Sequence, residues 1–177
     1  MHNRKYGKLT VGAWLSLEME RSSPVLMIFF GILLFAACVV VRICCGSPYP
    51  MIHALGIGEL MPPVWLLNCL RALSFLLIGC GAGFAIAYRD PCRREEKYRG
   101  GMLFVLLAVL ELLWYPTLFI RGFLFFAVLE RILILCLCVG ITHCFYRVSK
   151  FAGMLFLLHL LWYAYLLILT FSVLFHG

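Results

Sequence analysis

The sequence predicts an all-α fold: an integral membrane bundle of five transmembrane helices, with the N-terminus in the cytoplasm and the C-terminus outside. Three observations carry that expectation. Of 177 residues, 64% are hydrophobic and only 13% charged, with a mean hydropathy of +1.02; a soluble domain carries about 25% charge. The apolar residues fall into five runs, each near the ~20 residues that a helix needs to cross the hydrocarbon core. The basic residues behind the net charge of +7 gather at the N-terminus, at 89–99 and at 147–150, whereas the connections at 46–61 and 121–122 carry Arg121 alone. By the excess of Lys and Arg in cytoplasmic connections, the N-terminus and both basic connections lie inside. Charge confined to short connections reports membrane orientation and offers no folded basic face to nucleic acid.

Taken in order, residues 1–23 read as a basic cytoplasmic tail with Arg4, Lys5, Lys8 and Arg21. Its Tyr6, Leu9, Trp14 and Leu17 recur at loosely helical spacing, suited to lying on headgroups. Residues 24–175 read as one membrane domain. The first span is expected over about 24–45. Its basic lead resembles a signal peptide, but the apolar run is too long for one and lacks a small-residue cleavage site. Residues 46–61, GSPYPMIHALGIGELM, form a Gly- and Pro-rich loop without Lys or Arg. A loop of that length suits a lid over the outer end of the bundle.

The second span, 62–88, opens on Pro62-Pro63, where a first-turn proline has no intrahelical bond to lose. Gly79, Gly83 and Ala87 recur every four residues, so one face admits a close helix backbone. The third span is expected over about 102–120, ending near Trp114-Tyr115-Pro116, the fourth over 123–146 and the fifth over 151–175. Of nine cysteines, Cys38, Cys69, Cys80, Cys136, Cys138 and Cys144 lie in apolar runs, without a CxxC pair. They are expected to be small buried hydrophobes rather than metal ligands. The sequence offers no zinc signature, phosphate loop or nucleophile–base pairing, and so no catalytic or metal residue is assigned.

Ionic residues inside the spans are the candidate site, because charge in a bilayer is costly and faces the bundle interior. Arg71, Glu111 and Glu130 each lie about seven to nine residues from the outer end of a span, roughly 10–13 Å deep at ~1.5 Å per residue. An Arg71–Glu111/Glu130 cluster is therefore expected beneath the outer loop, with Asn68 one turn above Arg71 on the same side. Trp65 stands near the outer end as an interfacial anchor, whereas Trp114 and Trp162 lie deeper. His159, one turn before Trp162, is expected to make a helix–helix hydrogen bond.

Several segments resemble, in order, the translocator protein / tryptophan-rich sensory protein family (TspO/MBR), over roughly residues 61–175. Pro62-Pro63-Val64-Trp65 resembles the family's PPxW opening of its second helix, and Gly79 falls at that helix's glycine. Glu111-Leu-Leu-Trp114-Tyr-Pro116-Thr-Leu-Phe119 resembles N-x-x-W-x-P-x-F-F. Phe126-Ala127-Val-Leu-Glu130 resembles W-A-x-x-D, and Leu158-His159-Leu-Leu-Trp162 resembles P-Y-L-A-W. Tyr146-Arg-Val148-Ser149 with Ala152 resembles the turn between them.

The resemblance implies a five-helix bundle, often a homodimer, with a cavity under the first loop for porphyrins, sterols and aromatic ligands. It implies a binding or sensing protein, with a porphyrin-degrading enzyme or a transporter of tetrapyrroles or small amphipathic molecules as alternatives. The ligand site it implies comprises Trp65, Asn68, Arg71, Glu111, Trp114, Phe126, Glu130 and Trp162. No cofactor is required, porphyrin or haem entering as ligand, and the partners are the bilayer and a hydrophobic small molecule. The membrane implied is the bacterial cytoplasmic one, or the outer mitochondrial one in a eukaryote. This chain departs from the pattern at the pocket itself. Of the two family tryptophans linked to porphyrin breakdown, one position holds Arg71 and the other keeps Trp162. The small-residue dimer stripe of the third span is reduced to Gly100, Gly101 and Ala108. The cholesterol consensus is absent from the fifth span, although Arg147, Phe151 and Leu155 fit the reverse pattern.

Overall fold

A computed structural model describes residues 11–45, 63–121 and 124–176. Their order is α1 (Val11–Glu20), α2 (Pro24–Cys45), α3 (Val64–Ala87), a 3-10 turn (Pro91–Arg93), α4 (Arg94–Arg121), α5 (Leu124–Val148) and α6 (Lys150–His176). Among the described residues, four segments are long and apolar enough to cross a membrane: Pro24–Cys45, Trp65–Ala87, Val128–Val148 and Lys150–Leu169. The expected lid at 46–61, the first ten residues of the tail and Gly122 of the tight turn lie outside the described residues.

The third long helix differs from its expected bounds. It begins at Arg94 rather than near residue 102, so most of the basic connection is helical. Local chemistry explains the early start. The Asp90 carboxylate accepts from the Cys92 N–H at 3.0 Å, Pro91 opens the turn, and Glu95 and Glu96 stand in the first helical turn. Glu95 then pairs with Arg99 one turn on. The helix also continues through Pro116 to Arg121; prolines are tolerated within membrane helices because neighbouring groups satisfy the freed carbonyl.

Packing closes the long helices into a ring. α2 lies chiefly on α3, α3 on α6, α6 on α5 and α5 on α4, with a lighter contact between α4 and α2. α4 and α5 each bury one stripe at three-and-four spacing, whereas α3 is buried on every side over residues 81–85. On α4 it is Phe104, Leu107, Glu111 and Trp114; on α5 it is Val128, Arg131, Ile134, Cys138, Ile141, Phe145 and Val148. The glycine face of α3 meets α2 backbone to backbone. A Cβ on Gly79 would lie 2.4 Å from the Phe30 carbonyl oxygen, and one on Gly83 would lie 2.5 Å from that of Leu26. Gly100, expected on a dimer stripe, is used within the chain: a Cβ there would lie 2.4 Å from the Phe145 ring.

The cysteines divide by stripe. Cys38 and Cys138 are buried, but Cys69 and Cys136 are exposed on the outer surface of the bundle. The expectation of uniform burial fails because an apolar helix in lipid presents apolar residues on every face.

The basic end of the bundle is laced by polar contacts. Ser149 Oγ donates to Glu18 of α1 at 2.6 Å, the Arg89 N–H to the Arg21 carbonyl at 2.9 Å, and Ser22 Oγ to the Phe84 carbonyl at 3.3 Å. Lys97 Nζ donates to the Tyr88 carbonyl at 2.7 Å, and Arg93 Nη1 to the carbonyls of Arg147 and Val148. These cations complete the open C-terminal carbonyls of α3 and α5, as helix ends require.

Candidate functional site

Because the inward stripe of each helix continues through its polar residues, several buried polar groups meet. Glu111, Arg131, His159 and Ser74 are each at most 3% exposed, and they come from α4, α5, α6 and α3. His159 joins two of the others. Its Nε2 lies 2.9 Å from Glu111 Oε1, and its Nδ1 lies 2.5 Å from Ser74 Oγ. A neutral imidazole carrying its proton on Nε2 satisfies both, donating to the carboxylate and accepting from the hydroxyl. The expected helix–helix hydrogen bond of His159 is thus a relay across three helices. Its composition is that of a serine–histidine–acid chain, which sequence reading passed over because the members are 37 and 48 residues apart. With Ser74 sealed, the relay can hold a proton and lock three helices together.

The cationic part of the layer is built on Trp114. The Arg131 guanidinium carbon lies 3.8 Å from the centre of its ring and that of Arg71 lies 5.2 Å away. Arg71 also lies 5.8 Å from the Phe75 ring, with Cys38 of α2 beside it. Arg131 lies 5.0 Å from the ring of Tyr163, which in turn stands against Glu111. Flat guanidinium groups over aromatic faces gain electrostatic attraction that grows as water is excluded. Nε and Nη1 of Arg131 are buried, with no hydrogen-bond partner among the described residues.

The expected residues separate into groups. Arg71, Glu111 and Trp114 meet in the layer, and Asn68 lies beside it, accepting from Arg42 of α2. Trp162 is half-buried, with its ring 5.5 Å from that of Tyr165. Trp65 at 66% and Phe126 at 56% are exposed, facing outward. Glu130 is only half-buried, and Arg131 takes its expected inward place. At about 100° per residue, adjacent side chains cannot share one inward stripe. On α5 that stripe passes through Val128, Arg131 and Ile134, one step from Glu130.

Arg131, Ser74 and Tyr163 were missed. The available signal was spacing: Arg131 lies three residues from both Val128 and Ile134, and Tyr163 lies four beyond His159. Uniform hydrophobicity around these helices left little contrast to mark the stripe.

Comparison with known proteins agrees with the fold. No protein of curated function matches the chain. The TspO/MBR family profile matches residues 30–176, from the first long helix to the end of the last. On that match, and with four segments suited to crossing a bilayer, the chain belongs to the TspO/MBR family and is an integral, multi-pass membrane protein.

Proposed function

We propose that this protein binds or senses a hydrophobic, largely planar ligand between its helices, in the half of the bundle that carries Arg71, Trp114 and Arg131. Porphyrin-, sterol- or drug-like aromatic molecules are the classes in view. Arg131 is the observation that supports it most. A guanidinium with two buried N–H-bearing nitrogens unpartnered among the described residues is costly in an apolar medium. An acidic group on a bound ligand relieves that cost through charge-assisted hydrogen bonds. Trp114 and Tyr163 supply flat surfaces beside it.

In this reading α4 is the fifth membrane-crossing helix, its 28 residues being ample for a span. The N-terminus is cytoplasmic. Reading the protein as a porphyrin-degrading enzyme draws less support, because Arg71 occupies one of the two tryptophan positions linked to that chemistry.

The test is tryptophan fluorescence quenching of the purified protein by protoporphyrin and by its dimethyl ester. We expect saturable quenching, weakened about tenfold or more for the free acid by Arg131→Met and little changed for the ester, as loss of a charge-assisted pair implies. If a folded Arg71→Ala/Arg131→Met double variant binds the free acid like the parent, this reading is wrong.

A further inference from the structure

A second site lies at the basic end of the bundle, away from the buried layer. There a cavity of about 420 Å³ opens between the end of α3 and the start of α4. Arg89, Arg94 and Lys97 line it, with Asp90 as the acid among its walls and Ala87, Tyr88 and Pro91 supplying apolar surface. We propose that this cavity binds the phosphate of an anionic glycerophospholipid.

Charge balance is the first support. The Asp90 carboxylate is already engaged, accepting from the Cys92 N–H at 3.0 Å and pairing with Arg93 Nε at 3.3 Å. Lys97 uses one of its three protons on the Tyr88 carbonyl. The side chains of Arg89 and Arg94 have no hydrogen-bond or ion-pair partner among the described residues. Three cations thus face one acid that Arg93 already neutralises, leaving the cavity ready for an oxyanion.

The depth supports a lipid source. α3 ends at Ala87 and α5 at Val148, while α2 begins at Pro24 and α6 at Lys150. All four boundaries belong to this end of the bundle, where apolar spans give way to headgroups. Ala87, Tyr88 and Pro91 give the cavity an apolar wall at the end of an apolar span, a place for the start of an acyl chain. Arg93, by contrast, is turned to the α5 carbonyls, so it serves the fold.

The experiment uses the full-length protein in detergent at ~0.15 M salt, where charges beyond about 8 Å are screened. Retention of phosphatidylglycerol and phosphatidylcholine is measured by native mass spectrometry, with inorganic phosphate as a competitor. We expect phosphatidylglycerol to be retained selectively, and Arg89→Gln/Arg94→Gln to reduce retention about fivefold per cation removed. Arg99→Gln/Lys150→Gln, removing two exposed cations outside the cavity, should change it less than twofold. Equal loss in both pairs would mean diffuse attraction and overturn the site. Equal retention of the two lipids overturns it also. Displacement of the lipid by millimolar phosphate overturns the lipid assignment in favour of a soluble phosphate ligand. Hydrogen exchange on the unmodified protein gives an independent check: phosphatidylglycerol should slow the amides of 94–97, and no slowing counts against the proposal.

Discussion

The two polar regions of this molecule use the same residue types to opposite ends. At the basic end, Arg93 and Lys97 give their protons to carbonyls that close α5 and α3, in a setting open to water. In the buried layer, Arg131 spends its charge on the faces of Trp114 and Tyr163 and leaves two nitrogens without hydrogen bonds among the described residues. A cation near water can be purely structural, because its unused protons are solvated. A cation under the same hydrocarbon as Phe75 and Ile78 has no such outlet, so its cost must be offset by neighbours or by a ligand. The difference teaches that burial, more than charge, marks which arginine is a candidate for binding.

The largest effect should come from the acid that balances the layer. Glu111→Leu leaves His159 and the arginines without their buried carboxylate, and removing one member of a buried charged set costs about 3–5 kcal/mol. Thermal unfolding in detergent should report a steep loss, whereas an unchanged midpoint would mean that the relay does not organise the bundle. At the other end, Arg93→Gln gives up two charge-assisted bonds and should cost about 1–2 kcal/mol, with ligand quenching unaltered. A fall in ligand affinity there would erase the distinction between the two regions.

Arg131→Met sharpens it further. Removing this cation takes one charge from the set that includes Glu111, but it also removes two buried nitrogens without hydrogen bonds among the described residues, so stability should fall by less than Glu111→Leu costs while binding of an acidic ligand falls. A large loss of stability would instead make Arg131 a packing element. The smallest effect belongs to Arg99→Gln. Its pair with Glu95 is 68% and 74% exposed, and such surface pairs contribute about 0–1 kcal/mol; an unfolding midpoint shifted beyond error would be unexpected.

Much of the architecture could be read before any coordinates. Helix type and approximate bounds followed from apolar runs, and the close approach of α3 to a neighbour followed from Gly79 and Gly83. The same reading placed Arg71, Glu111 and Glu130 at one depth, because rise per residue is constant along a helix. It went astray over azimuth. Glu130 was expected inward and Arg131 was passed over, and Trp65 and Phe126 were grouped with residues that face the other way.

What the sequence alone determined is therefore an apolar chain of membrane-spanning helices, their order, and the level at which charges sit along them. Only the tertiary structure decided which side chain of each neighbouring pair turns inward and which partners it finds: Arg131 over Trp114, and His159 between Ser74 and Glu111. The physical reason lies in the solvent. In water a helix must turn its apolar face inward, so its pattern discloses its orientation. In a bilayer apolar residues are welcome on every side, and orientation is settled by glycine contacts, ring stacking and hydrogen bonds between residues far apart in the chain.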